Sequence, residues 1–198
     1  MSTGSSQATC EAVEKKRMGK GQNKIYVLQV GGGQEKHTIR LITQLVSPDV
    51  YTEVFSPKFL RKMKLAGEWR MVEVPLVPGY LFITTNDIAA LSDALYHVPT
   101  LTKLLRMGSG IVPLDPEEVT WMDRLTKPHE RTVAFSEGYI VGDKVTITSG
   151  PLQGYESEIK KIDRHKRFAY LAFNIMGRNK NVKVGLEIVS KLPGPKEA

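Results

Sequence analysis

Hydrophobic positions change their period several times along this chain, and each change predicts an element. Ile25 to Val30 is a β-branched and aromatic run that reads as a strand, broken by Gly31-Gly32-Gly33. From about Gln34 to Val46 the residues Ile39, Ile42 and Val46 recur at helical spacing. Leu41 and Leu45 widen that stripe, and Ser47-Pro48 supplies a stop. Phe59, Met63 and Leu65 then alternate with Lys62 and Lys64 before Gly67, and Trp69 to Val74 resumes an extended pattern, which predicts a basic hairpin. Leu76 to Tyr80 is a turn feeding a strand over Leu81 to Thr85. Asn86 or Asp87 caps a helix carrying Ile88, Leu91 and Leu95 that ends near Pro99, and Leu101 to Leu105 reads as a further strand. Asp115-Pro116-Glu117-Glu118 is a helix start, with a capping Asp, Pro in the first turn and acids at the positive end of the helix dipole; the helix runs to about Thr126.

Beyond Tyr139 helical spacing disappears. Short strands are expected at Lys144 to Thr148, Tyr155 to Asp163, Arg167 to Asn174, Asn181 to Val184 and Glu187 to Lys191. Gly150-Pro151, Gln153-Gly154 and Met176-Gly177 separate them, a spacing that predicts a small β-barrel. Lys127 to Gly138 carries Pro, Gly and Ser without periodicity and reads as a linker. Met1 to Asn23 has few apolar positions to repay ordering and reads as a mobile tail. The expected division is therefore a tail at 1–23, a first domain at 24–126, a linker at 127–138, a barrel at 139–192 and a tail at 193–198.

Charge sharpens this picture. The 198 residues hold 28 Lys and Arg against 21 Asp and Glu, a formal +7, which favours a polyanionic partner, nucleic acid ahead of an anionic membrane. Most of the excess sits in the barrel: Lys144 to Lys191 holds 10 Lys and Arg against 4 Asp and Glu. No apolar run approaches the roughly 18 residues of a membrane helix and no signal-peptide core is present, so a cytoplasmic protein is expected. Cys10 is the only cysteine, which leaves no intrachain disulfide or thiolate metal site.

Chemistry is hard to find. The triple glycine lacks both a following Gly-Lys-Ser/Thr and the dinucleotide spacing, so it reads as a permissive turn. His37, His97, His129 and His165 are scattered without metal-ligand spacing, and Glu117-Glu118 is explained by helix-start electrostatics. The expectation is a binding protein, not an enzyme, with no cofactor and no metal.

Val141-Gly142-Asp143-Lys144-Val145 followed by Ser149-Gly150-Pro151-Leu152-Gln153-Gly154 resembles the KOW motif of the NusG family of transcription elongation factors. Asn174-Ile175-Met176-Gly177-Arg178 resembles that family's segment ending in Phe-Gly-Arg. Lys24 to Val30 looks like its opening strand, and Pro78-Gly79-Tyr80-Leu81-Phe82 is similar to its Pro-Gly-Tyr strand entry. The resemblance spans about Lys24 to Leu192. It implies an α+β N-terminal NGN domain, an antiparallel sheet with flanking helices, followed by a small all-β KOW barrel of the SH3-like kind. Ser157 stands where the motif usually has Gly, Met176 where the family has Phe, and His97-Val98 where many members have Asn-Thr. These departures are most similar to the specialised LoaP branch, whose members are processive antiterminators that recognise an RNA hairpin.

The resemblance also implies sites for a monomeric factor. Leu76, Val77, Pro78, Gly79 and Tyr80 would form an apolar patch for the clamp helices of RNA polymerase; the alternative is that they are core residues at a strand entry. Arg61, Lys62, Lys64, Arg70 and His97 would contact non-template DNA, or simply keep an exposed hairpin solvated. Lys160, Lys161, Arg164, His165, Lys166 and Arg167, extended by Arg178, Lys180 and Lys183, would bind a structured RNA hairpin, with Phe168, Tyr170 and Phe173 as stacking surfaces where they do not enter the core. Leu152, Tyr155, Ile175, Met176 and Arg178 match the family surface for rho or a small-subunit ribosomal protein. A general NusG-type factor coupling polymerase to rho or the ribosome, and a ribosome-associated KOW protein, are the competing readings.

Overall fold

The computed structural model describes residues 22–99, 103–126 and 130–192. The expected tails therefore lie outside the described residues, apart from Gln22 and Asn23. The first part of the chain runs β1 (Lys24–Gln29), α1 (Glu35–Leu45), β2 (Glu53–Phe55), β3 (Lys58–Leu65), β4 (Glu68–Pro75), β5 (Tyr80–Thr85), α2 (Ile88–Tyr96), β6 (Lys103–Leu104), β7 (Arg106–Met107), β8 (Gly110–Ile111), α3 (Pro116–Leu125) and β9 (Thr132–Val133).

β1 and β5 pair antiparallel along their whole length, at the centre of a sheet ordered β2-β5-β1-β6. Strand alternation sends Tyr26, Leu28, Leu81 and Ile83 to one face, where they pack with Ile42 of α1 and Leu91 and Leu95 of α2. Val27, Tyr80 and Phe82 face the other way, in a cluster with Met122 and Leu125 of α3. Both faces are covered, which is why Leu81, Phe82 and Ile83 form an unbroken apolar run instead of an alternating one. Gly33, at φ +80°, makes the turn into α1; Asp87 caps α2 by accepting from the Ala90 amide at 3.0 Å. The strand expected over Leu101 to Leu105 is reduced to Lys103–Leu104, with 101 and 102 outside the described residues.

The basic hairpin is present in full register from Lys58↔Pro75 to Leu65↔Glu68. Ala66 and Gly67 form its two-residue turn, both at positive φ. The expected linker is a correction. Residues 127–129 lie outside the described residues, but Thr132–Val133 pairs parallel with β3, and Ser136 already begins the barrel. Arg131 anchors this crossing through both carboxylate oxygens of Glu53 (3.0 and 2.7 Å) and Asp123 (2.8 Å), and it lies over the Phe55 ring at 4.2 Å. A two-residue strand, Thr132–Val133, is too short to carry a period for a sequence reading to detect.

The barrel comprises β10 (Ser136–Val141), β11 (Lys144–Ser149), a 3-10 turn at Glu156–Glu158, β12 (Ile159–Asp163), β13 (Phe168–Ile175) and β14 (Arg178–Leu192), ordered β11-β10-β14-β13-β12. Two expectations change. The strand over Tyr155 to Asp163 begins as the 3-10 turn, and the two strands at Asn181 to Val184 and Glu187 to Lys191 are halves of the single β14. Up to Gly185 it pairs antiparallel with β13, and from Leu186 parallel with β10. Met176 (φ 50°) and Gly177 (φ 72°) form the tight β13–β14 turn. One apolar cluster continues from Phe82, Met122 and Leu125 into Leu152, Leu171, Ile175 and Leu186, so the two domains share a packed boundary.

Candidate nucleic-acid and partner interfaces

β12 carries Lys160 and Lys161, and the short turn to β13 carries Arg164, His165 and Lys166; all five are exposed. Asp163 is the local counter-charge: its Oδ1 accepts the Lys166 amide at 2.9 Å, and its Oδ2 lies 3.8 Å from the Lys166 ammonium. Arg178 and Lys183 are exposed as well. The rings of β13 lie on both of its faces: Phe168 and Tyr170 share one, edge to face with ring centres 5.2 Å apart, and Phe173 lies on the other, against Trp121. Phe168 and Phe173 are buried, which removes them as stacking surfaces in this arrangement, while Tyr170 stays half-buried.

Arg167 and Lys180 are placed differently from the rest of the basic set. The Arg167 guanidinium lies 3.6 Å above the Trp69 ring of the first domain, and its Nε is 3.2 Å from Glu187. The same Glu187 accepts from Lys62 of β3 at 2.7 Å. Lys180 lies 5.5 Å from the Tyr80 ring centre. Of the expected DNA contacts, Arg61 and Lys62 are thus half-buried at the domain boundary, while Lys64, Arg70 and His97 are exposed; Arg70 pairs with Glu68 at 2.9 Å.

The apolar members of both expected protein-docking patches are buried in one shared cluster. Leu76, Val77 and Tyr80 are buried, with Tyr80 9% exposed; Gly79 is half-buried and Pro78 exposed. On the barrel, Leu152, Ile175 and Met176 are buried, Met176 being 7% exposed, with Tyr155 half-buried and Arg178 exposed. All the buried members belong to the shared cluster. Neither apolar patch is a free surface in this conformation, because its buried members are packed within that cluster.

Residues that the sequence reading did not assign to an interface carry the contact. Glu118 Oε1 accepts the Met176 amide at 2.7 Å, and its Oε2 accepts the Asp115 amide at 3.0 Å. Trp121 stacks on Phe173, with ring centres 4.0 Å apart and 12° between planes, and its indole N–H donates to Glu158 at 3.3 Å. A Cβ on Gly185 would come within 2.2 Å of the Leu60 carbonyl oxygen, so β14 passes β3 at a distance only glycine permits. Glu118 had a local explanation at the helix start, and no spacing signal in the sequence links it to a turn 58 residues later. Among the described residues no group of His, Cys, Asp and Glu is arranged to hold a metal ion, and no helix is long and apolar enough to cross a membrane.

An antiparallel sheet flanked by helices, followed by a five-stranded all-β domain, defines the two-domain NGN and KOW class of protein. The profile of the family described as transcription termination factor nusG matches residues 23–123, and the chain belongs to the NusG family. It is similar to the transcription termination/antitermination protein NusG of Rickettsia prowazekii, 26% identical over 172 residues that cover 84% of this chain and 88% of that one. The Treponema pallidum protein of the same name is 23% identical over 180 residues, covering 84% and 97%. A solved structure described as domain interaction in Thermotoga maritima NusG shares the fold with a TM-score of 0.53 at 22% identity, over 84% of this chain and 94% of that one. The protein is therefore a NusG-like transcription termination/antitermination factor.

Proposed function

We propose that this protein is an elongation and antitermination factor that binds RNA polymerase through its first domain and a nascent RNA hairpin through its barrel. The observation that carries the reading is the exposed ridge Lys160, Lys161, Arg164, His165 and Lys166, which faces solvent with Asp163 as its nearby carboxylate, in a chain of a transcription-factor family. Such a ridge suits phosphate, where charge supplies affinity and counterion release makes binding fall steeply with salt. The family motif around Leu76 to Tyr80 supports the polymerase assignment, and the departures at Ser157, Met176 and His97-Val98 support a specialised, LoaP-like role.

The test is transcription in vitro through terminators, with and without leader RNA, using the native chain and a Lys160→Ala, Lys161→Ala, Lys166→Ala variant. Terminator read-through that depends on the leader hairpin and is lost in the variant is expected. Equal read-through with a scrambled hairpin would remove the RNA-specific role. A general factor that couples polymerase to rho or a small-subunit ribosomal protein is the second reading. It is favoured by relatives named simply NusG.

A further inference from the structure

β11 and β12 are the two edge strands of the barrel sheet, and among the described residues no ladder joins them. The sheet is therefore not closed on itself at this side, where the 3-10 turn at Glu156–Glu158 leads into β12. A cavity of about 650 Å³ occupies the gap, a volume within the roughly 300–1,000 Å³ of small-ligand sites. Its apolar wall is Val145 of β11 with Ile159 and Ile162 of β12, half-buried side chains packed against the core. Lys144, Lys160 and Lys161 line it as well and are exposed. Strict alternation would send Lys160 and Lys161 to opposite faces of β12. The register with β13 shifts between Ile159 and Lys161, and this bulge lets both lysines reach the cavity.

Two occupants suit an apolar slot rimmed by lysines beside a strand edge: an extended acidic peptide and an unpaired nucleotide. The edges themselves argue against the peptide. A bulge and two lysines blunt β12 against another strand, and the Ile147 amide of β11 is already held by Glu156 Oε1 at 3.3 Å. Continuity of charge argues for the nucleotide. Lys160 and Lys161 belong both to this cavity and to the ridge that runs on through Arg164, His165 and Lys166, so phosphates on the ridge bring adjoining nucleotides to the gap.

We propose that the gap between β11 and β12 is a subsite for one unpaired nucleotide of the bound RNA. The base lies against Val145, Ile159 and Ile162, and the phosphate meets Lys160 and Lys161. Asp143, Glu156 and Ser157 complete the lining and set a preference. The two carboxylates accept hydrogen bonds from the exocyclic amino group of adenine, cytosine or guanine, whereas uracil has no such group. Duplex RNA keeps its bases paired and stacked, so it engages the ridge alone.

This inference rests on the RNA reading of the ridge, and its test fails separately from that reading. The full-length chain is titrated at low salt with a hairpin carrying an adenosine-rich loop, the same stem with a uridine-rich loop, and the stem as a plain duplex. Anisotropy gives the affinities. Methyl NMR follows Val145, Ile159 and Ile162, whose signals shift when the ring of a base settles on them. The adenosine loop should bind about five- to tenfold more tightly than the uridine loop or the duplex, the low end of what one base-reading contact contributes, and should move those methyl signals. Ser157→Leu fills the mouth of the cavity without changing charge. It should erase the loop preference and the methyl shifts while the ridge still binds duplex. Should that variant fail to fold, Glu156→Gln keeps an oxygen for the Ile147 amide, and the adenosine-to-uridine affinity ratio, from which the change in net charge cancels, should fall. Unmoved methyl signals overturn the subsite, and the RNA reading of the ridge stands if the duplex still binds. Binding of none of these RNAs overturns both. Methyl shifts produced by a Glu-rich peptide and not by RNA would assign the gap to an acidic protein segment and overturn the nucleotide.

Discussion

Glu118 and Met176 are joined by a 2.7 Å hydrogen bond in which a buried carboxylate of α3 accepts the backbone amide of the barrel's β13–β14 turn. The same carboxylate reaches back to the Asp115 amide, so helix capping and domain contact depend on one side chain. Glu118→Ala leaves both amides without their acceptor and should destabilise the full chain by about 2 kcal/mol, the scale of a lost charged hydrogen bond plus a cap. Denaturant unfolding measures it, and a change below about 0.5 kcal/mol, the scale of an ordinary surface substitution, would count against this role.

Arg131 should be nearly as sensitive. Its pKa is held above the usual arginine value, first by its hydrogen bond to Glu53, with Asp123 adding to the effect. A raised folded-state pKa means the contribution is complete below the unfolded value and is lost only as pH rises through the folded one, beyond neutral conditions. Arg131→Lys keeps charge but forfeits the fork on Glu53 and the planar contact over Phe55. A loss of about 1–2 kcal/mol at neutral pH is expected, measured by thermal unfolding.

Gly150 and Gly154 both belong to the family-like motif, and both have positive φ, +93° and +83°. A Cβ on Gly150 would lie 2.5 Å from Ser136 Oγ and 2.7 Å from the Phe135 carbonyl oxygen, while one on Gly154 meets nothing within 4 Å. Gly154→Ala should therefore cost about 1–2 kcal/mol, the left-handed penalty alone. Gly150→Ala adds backbone displacement and should cost at least about 1 kcal/mol more. Equal melting temperatures for the two variants would contradict the packing around Ser136.

Tyr26 supplies a pH dependence of known sign. Burial raises its phenol pKa, since the folded sheet disfavours the phenolate. Its protonated form is native, so stability is unaffected below the unfolded phenol value and falls as pH rises through the folded one. Alkaline denaturation of native chain and Tyr26→Phe should show a smaller loss in the variant, whereas identical profiles would dismiss the effect.

Local pattern carried much of the fold. The alternation in β3 and β4, the helical stripe at Ile39, Ile42 and Val46, and the start at Asp115-Pro116 are decided within a few residues, and the elements appear there with small shifts at their ends. Where pairing partners are distant, the pattern was insufficient. β14 reads as two strands because its halves face different neighbours, and Val133 joins β3 across more than seventy residues without a period of its own.

The sequence by itself determined the kinds of elements, the concentration of positive charge in the last third, and the motif that marks a NusG-family chain, because these depend on residue type and short spacing. Tertiary structure alone decided which of those residues are available. Tyr80 and Met176 look like surface anchors in sequence, yet each is buried at the domain boundary, and Glu118 looks local until folding brings a turn from the other domain to its free oxygen. An apolar residue that suits a partner suits a neighbouring domain equally well, since burial has no directional preference. Only the packed arrangement shows which partner it has met.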